Sequence, residues 1–191
     1  KLTHAGIYGI DMSRQTLGDL YGVDIPYYVR LNFTSLVKMV DVVGDITVDS
    51  DYAFHSFQVG KNTLDSKRTL EFARERYSFS DGDRQRGRNQ QKVIEAIVAK
   101  MSEPRNLTRY NAILSTLQSS LQTNMSQETI ASLIKMQLND FKGWRVESMS
   151  VDGAGATRQT YSMGAMSLYV MIPDSASVER AKERIGEYLQ S

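Results

Sequence analysis

Between Arg74 and Met101 the chain packs guanidinium groups around a Gly82-Asp83 turn and then runs directly into an amphipathic segment. A helix opening near Asp83 places Asp83, Arg86 and Gln90 on one stripe that continues through Ile94, Ile97 and Met101. That stripe is polar in its first turns and apolar afterwards. A fold built on it has to bring a charged surface and a hydrophobic core to the same side of one helix. Asp83, Arg86 and Gln90 are therefore expected to point inward, with Arg84 and Arg88 facing solvent.

The charges around the turn allow two readings. Arg74-Glu75-Arg76-Tyr77 and the run from Gly82 to Gln91 could form a fixed receptor for phosphate oxygens, because the planar guanidinium donates paired hydrogen bonds and stays charged at any working pH. Alternatively, Glu71, Glu75, Asp81 and Asp83 interleave with Arg68, Arg74, Arg76, Arg84, Arg86 and Arg88 as a solvated ion-pair face. The stripe running into core positions favours the receptor. The first expectation is a handler of phosphorylated ligands.

Composition removes several other classes. The 191 residues are 41% hydrophobic, enough for one domain with a core, and the net charge of +1 supplies no global basic field for nucleic acid. Nor do aromatics interleave with the arginines as base-stacking platforms would. No stretch approaches the roughly 18 apolar residues that span a bilayer, and the start carries no signal-peptide pattern. Cysteine is absent, which removes disulfides, thiolate ligands and a cysteine nucleophile. The two histidines, His4 and His55, have no metal-site spacing and are expected in structural or surface roles. Neither a P-loop nor a dinucleotide-binding or nucleophile-elbow glycine motif is present.

The remaining pattern alternates strands and helices. A helix is expected from near Ser13, a strand over Tyr27–Phe33, and a helix capped by Thr34 or Ser35 and closed by Gly44. A strand follows over Asp45–Asp51, then a helix from Asp65 or Ser66 to Tyr77 and the long helix to Met101, ended by Pro104. Two helical patterns come next, centred on Ile113 to Leu121 and Ile130 to Leu138. Strands over Trp144–Val151 and Ser167–Ile172 flank a turn at Asp152–Gly155, and a last helix covers Ser177–Leu189. This order implies an α/β fold with a central mixed β-sheet and helices on both faces, in a single domain over residues 1–191.

Several of these segments stand in the order of a known family. The opening Lys1-Leu2-Thr3-His4-Ala5, the Tyr27-to-Phe33 segment leading to Val42-Val43-Gly44, the stretch Leu64 through Arg76, and Gly82-Asp83 through Gln91 together resemble the catalytic domain of the LytR-CpsA-Psr family, most closely its streptococcal capsule-associated members. The match is specific over the first hundred residues and is a bare pattern of elements beyond them. The resemblance implies a phosphotransferase, with pyrophosphatase as a side activity. It would move a capsular or teichoic-acid-like glycopolymer, as glycosyl phosphate, from a polyprenyl-diphosphate carrier to peptidoglycan, assisted by magnesium (Mg2+). The expected place is the extracytoplasmic face of a bacterial membrane, held by upstream anchors, with no nucleic-acid partner.

By the same resemblance Arg74, Arg76, Asp83 and Arg86 are the expected catalytic residues, and Lys1, Arg74, Arg76, Arg86 and Gln90 bind phosphate. The stripe through Ile94 and Ile97 would line one wall of the pocket for the lipid tail, with core packing as the competing explanation. The family pattern begins before Lys1, with acidic residues for magnesium and a further arginine, so the domain is expected to be incomplete on its N-terminal side. It also commonly has Arg-Gln-Gln where this chain has Asn89-Gln90-Gln91. A non-catalytic binding domain for polyprenyl phosphates or anionic wall polymers is the other reading.

Overall fold

In the computed structural model, which describes residues 2–117, 120–140, 144 and 146–190, the elements run α1 (Leu2–Ala5), α2 (Ile10–Tyr21), β1 (Val29–Arg30), α3 (Phe33–Val43), β2 (Ile46–Ser50), β3 (Gly60–Leu64), α4 (Ser66–Arg74), α5 (Gly82–Met101), α6 (Pro104–Leu107), α7 (Tyr110–Leu117), β4 (Gln122–Thr123), α8 (Gln127–Asp140), β5 (Gly153–Gln159), β6 (Ser167–Pro173) and α9 (Ser175–Gln190). They divide into two compact units. Val29–Glu147 makes one, and Lys1–Tyr28 with Ser148–Ser191 makes the other.

The mixed α/β character expected from the pattern holds, but the strands of the described residues do not join in one central mixed sheet. They form three separate two-stranded antiparallel ladders, β1 with β4, β2 with β3, and β5 with β6. Two local expectations also change. The run Tyr27–Phe33 yields only the two-residue β1, because Asn32 accepts a hydrogen bond from the Ser35 amide at 2.8 Å and starts α3 at Phe33. The strand expected over Trp144–Val151 is not formed by the described residues there. Its place is taken by β5, whose first residues are the supposed turn at Asp152–Gly155, paired from Gly153 opposite Pro173 to Gln159 opposite Ser167.

In the Val29–Glu147 unit, alternation along β2 buries Ile46 and Val48 and turns Thr47 and Asp49 outward. Strand β3, which the sequence reading missed, lies opposite with Leu64 paired to Ile46 and fully buried. The two strands are joined through a loop that folds Phe54 and Phe57 back into the core against Phe72 of α4, with ring centroids 4.9 to 5.4 Å apart. Leu36, Met39, Val40 and Val43 of α3 close the same core, as do Val93 and Ile97 of α5. Phe72 of this aromatic cluster is itself part of α4, two residues before Arg74.

Helix α4 begins where expected, with Asp65 accepting from the Arg68 amide at 2.7 Å. It stops at Arg74, three residues short of the expected Tyr77, leaving its last carbonyls without partners inside the helix. Two side chains of α5 supply them. Asn89 Nδ2 donates to the Phe72 carbonyl and Gln90 Nε2 to the Ala73 carbonyl, each at 3.2 Å.

Candidate functional site

The buried stripe of α5 is Gln85, Asn89, Val93 and Ile97, a strict four-residue repeat. It lies one residue away from the stripe expected over Asp83, Arg86 and Gln90. Asp83 faces water with 75% of its side chain exposed, while Arg86 and Gln90 sit at the margin of the buried face. Arg88, expected in solvent, is held by Gln85 at 2.8 Å and by Asp81 at 2.7 Å. The correction has a simple cause. Asn89 and Gln85 bury their amides against the end of α4, so the inward direction is set by two polar residues that apolar periodicity does not register.

This rotation leaves Arg86 beside Arg76. Asp83 Oδ1 takes Nη2 of Arg86 at 3.3 Å and Nη1 of Arg76 at 3.6 Å, so one carboxylate oxygen lies between guanidiniums from two pieces of chain. The oxygen marks a point where a phosphate oxygen would be held by both forks. Arg76 is steadied further by Tyr77, whose hydroxyl accepts from Nη2 at 2.7 Å and whose ring lies 4.7 Å beneath the guanidinium carbon. Arg74 behaves differently. Its guanidinium stacks 5.4 Å from the ring centre of Phe33 at the start of α3. Of the three arginines, the structure brings Arg76 and Arg86 onto one group, and Lys1 lies outside the described residues.

Between Arg74 and Arg76, Glu75 turns inward and fixes the bend. Its Oε2 meets His55 Nε2 at 2.6 Å, and its Oε1 accepts from the Ser78 amide at 2.8 Å. Partial burial pulls the Glu75 pKa up, but hydrogen bonds from His55, Ser78 and the Tyr77 backbone outweigh it and hold the carboxyl at about 2. The hydrogen bond to Glu75 raises His55 above its ordinary 6.5, against a smaller opposing effect of burial. The Glu75 contribution is complete above its ordinary 4.5 and is lost as pH falls through about 2. The His55 contribution is complete below 6.5 and is lost as pH rises through its raised native value. The bend is thus held best between pH 4.5 and 6.5. Histidine proton NMR should show His55 titrating above 6.5, and Glu75→Gln should return it to that ordinary value; an unshifted wild-type titration contradicts the pairing.

Further along α5, Ile94 and Ile97 both face an apolar cavity of about 490 Å³. Met39, Met101, Leu107, Leu114 and the single tryptophan, Trp144, also line it. Ile97 is 5% exposed and belongs equally to the core, while Ile94 is 48% exposed. Arg86, Gln90, Ile94 and Ile97 follow one another along α5, and eight residues of helix separate Arg86 from Ile94 by about 12 Å. One of the two anion-holding arginines, Arg86, and one wall of the cavity are therefore presented by the same helix.

The described residues contain no cluster of three acidic or histidine side chains able to hold a metal. Asp83 is a single carboxylate already shared between two arginines. These residues alone do not fit a magnesium site. None of the described helices is long and apolar enough to cross a membrane.

Compared with known sequences, residues 1–184 match the LytR_cpsA_psr family. The chain belongs to the LytR-CpsA-Psr family. Among its relatives is a polyisoprenyl-teichoic acid–peptidoglycan teichoic acid transferase, TagU, of Oceanobacillus iheyensis, 31% identical over an alignment of 170 residues, with 82% of this chain and 52% of that protein covered. This LytR-CpsA-Psr chain spans about half the length of the curated relatives it matches. Among solved structures, an Enterococcus faecalis protein described as a transcriptional regulator superposes with a TM-score of 0.79 at 25% identity, covering 100% of this chain and 69% of that one. TagU of B. subtilis shares the fold with a TM-score of 0.73 at 23% identity, covering 98% and 75%.

Two groups of residues important to the site escaped the sequence reading. Gln85 and Asn89 fall off the stripe expected through Asp83, Arg86 and Gln90, although their spacing to Val93 and Ile97 carries the signal. The His55 link to Glu75 joins positions twenty residues apart and has no local signature.

Proposed function

We propose that this chain forms the phosphate-handling part of an extracytoplasmic transferase. It would move a glycopolymer, as glycosyl phosphate, from a polyprenyl-diphosphate carrier to peptidoglycan. The observation that carries the reading is the convergence of Arg76 and Arg86 on one anionic oxygen, with Arg86 on the same helix that leads to the apolar cavity. A relative named as a polyisoprenyl-teichoic acid–peptidoglycan teichoic acid transferase supports the same class of donor and acceptor.

In this reaction an acceptor hydroxyl oxygen attacks the sugar-bearing phosphorus. The bridging P–O bond breaks, polyprenyl phosphate leaves, and the hydroxyl proton is lost to solvent. Negative charge builds on the bridging and equatorial oxygens, and prealigned guanidiniums stabilise it without reorganising. Arg76 and Arg86 take this role, and Gln90 aligns the strand of groups next to them. Arg74 joins them only by leaving Phe33. Asp83, whose Oδ1 lies between Arg76 and Arg86, orients the two forks. Magnesium belongs to the proposal only as a companion held by groups other than these described residues.

The cavity beside Ile94 and Ile97 is proposed to take the first units of the isoprenoid. Each methylene removed from water is worth about 0.8 kcal/mol, or close to fourfold in affinity. Binding of alkyl and isoprenoid diphosphates of increasing length, measured by calorimetry, should tighten by about this factor per methylene until the cavity is filled. A flat series would make the cavity ordinary core and the site a reader of phosphate alone.

A second reading, in which the chain binds such lipids or anionic wall polymers without turning them over, rests on the same pair, since Arg76 and Arg86 hold an anion whether or not transfer follows. Incubation of a polyprenyl-diphosphate-linked glycan with the chain and magnesium, once with peptidoglycan as acceptor and once with water alone, separates the two. A transferase or pyrophosphatase releases polyprenyl monophosphate, whereas a binder returns the ligand unchanged.

A further inference from the structure

A continuous chain of hydrogen bonds joins the start of α5 to the end of α4. Asp81 Oδ2 accepts from Arg88 Nη2 at 2.7 Å, and Arg88 Nε donates to Gln85 Oε1 at 2.8 Å. Gln85 Nε2 then donates to Asn89 Oδ1 at 2.9 Å, and Asn89 Nδ2 to the Phe72 carbonyl at 3.2 Å. The direction is forced from both ends. A guanidinium only donates and a carbonyl only accepts, so each amide between them has one permitted orientation. Gln85 and Asn89 are both 1% exposed, where an unmatched amide is costly, and here each has partners on both sides.

The two ends of this relay are Phe72 and Asp81, and the segment between them carries Arg74, the Glu75 bend and Arg76. Nothing in the phosphate reading requires Gln85, Arg88, Asn89 or Asp81 to touch a ligand. We propose that Asp81, Arg88, Gln85 and Asn89 are positioning residues that close the 72–81 segment into a ring and thereby hold Arg76 in register with Arg86. The proposal rests on the reading of Arg76 and Arg86 as the phosphate-holding pair, and it deepens that reading by naming what sets their spacing. A diphosphate can put its bridging oxygen at the point the two guanidiniums share and one phosphoryl group beside each, which a single phosphate cannot do.

The exposed end of the relay is the place to test it, because truncating the buried amides endangers the fold. Asp81 is 48% exposed in its side chain. Asp81→Asn removes a negative charge from the neighbourhood of an anion site, so simple electrostatics predicts tighter anion binding. The relay predicts the opposite, since Arg88 loses its charged anchor. Arg88→Lys keeps the charge but replaces the fork that spans Asp81 and Gln85 with a single ammonium. On the whole chain, with inorganic pyrophosphate and phosphate as probes, each variant should lower pyrophosphate affinity about fivefold to tenfold and phosphate affinity much less. Amide exchange of residues 76–80, including the Ser78 amide held by Glu75, should speed up by about the same factor.

Tighter binding in Asp81→Asn, unchanged binding in Arg88→Lys, or an equal loss for both probes overturns the proposal. Should the wild-type chain fail to bind pyrophosphate, the phosphate reading falls instead. The exchange rates then decide the relay by themselves, with unaltered rates overturning it.

Discussion

Replacing Arg86 with lysine is expected to impair glycosyl phosphate transfer nearly as much as replacing it with alanine, by up to about a thousandfold if this arginine stabilises transition-state charge as an arginine finger does. Lysine retains the charge. It cannot retain the geometry by which Nη2 reaches Asp83 at 3.3 Å while the rest of the fork stays free for a second oxygen. Arg86 lies at the edge of the buried face with 36% of its side chain exposed, so both substitutions should fold. Arg84→Lys is expected to be mild. The check is a transfer assay with polyprenyl-diphosphate donor on variants of matched melting temperature. An Arg86→Lys enzyme as active as Arg84→Lys would remove Arg86 from the proposed chemistry.

Gly82→Ala is expected to weaken pyrophosphate binding by about a hundredfold, the scale on which small misplacements of a binding group act. In an exposed helical turn the same change is ordinarily stabilising by about 1 kcal/mol. Here a Cβ on Gly82 would overlap the Arg76 carbonyl oxygen, lie 3.0 Å from its carbonyl carbon and approach its Cβ at 3.3 Å. Those are backbone and near-backbone atoms, which cannot step aside as a long side chain does. Overpacking of this kind costs about 1–3 kcal/mol, so the clash outweighs the gain in helix propensity. The relief open to the chain is to push Arg76 away from α5, which separates it from Arg86. Calorimetric titration together with thermal melting tests both parts; an alanine variant that is more stable and binds pyrophosphate normally would show that the contact between Gly82 and Arg76 is not tight.

How much of this was readable in advance differs between the helices and the site. The Asp65 cap, the long α5 and the alternation of β2 follow from local rules and stand in the structure close to where the residues place them. The rotation of α5 does not follow from those rules. Apolar spacing from Ile94, Ile97 and Met101 suggested one inward stripe, yet Val93 is fully buried and Ile94 is half exposed, because Gln85 and Asn89 take the inward side upstream. A polar residue is inward only when a partner waits for it, and that partner, the Phe72 carbonyl, lies on another helix. Pairing of the strands was equally out of reach of local pattern. Hairpin β5–β6 starts in glycine-rich sequence that reads as a turn until Pro173 is seen opposite Gly153.

The division of the chain bears on how the molecule comes into being on a ribosome. One unit occupies a single uninterrupted stretch, Val29–Glu147, whereas the other takes Lys1–Tyr28 from one side of it and Ser148–Ser191 from the other. Synthesis proceeds from the N-terminus, and domains generally fold as units while the chain emerges. The stretch with the arginines and the aromatic core can therefore close while α2 is still waiting for α9, with which it packs, to be translated. A nascent chain can thus have the anion-holding residues folded while the flanking unit has only its Lys1–Tyr28 part.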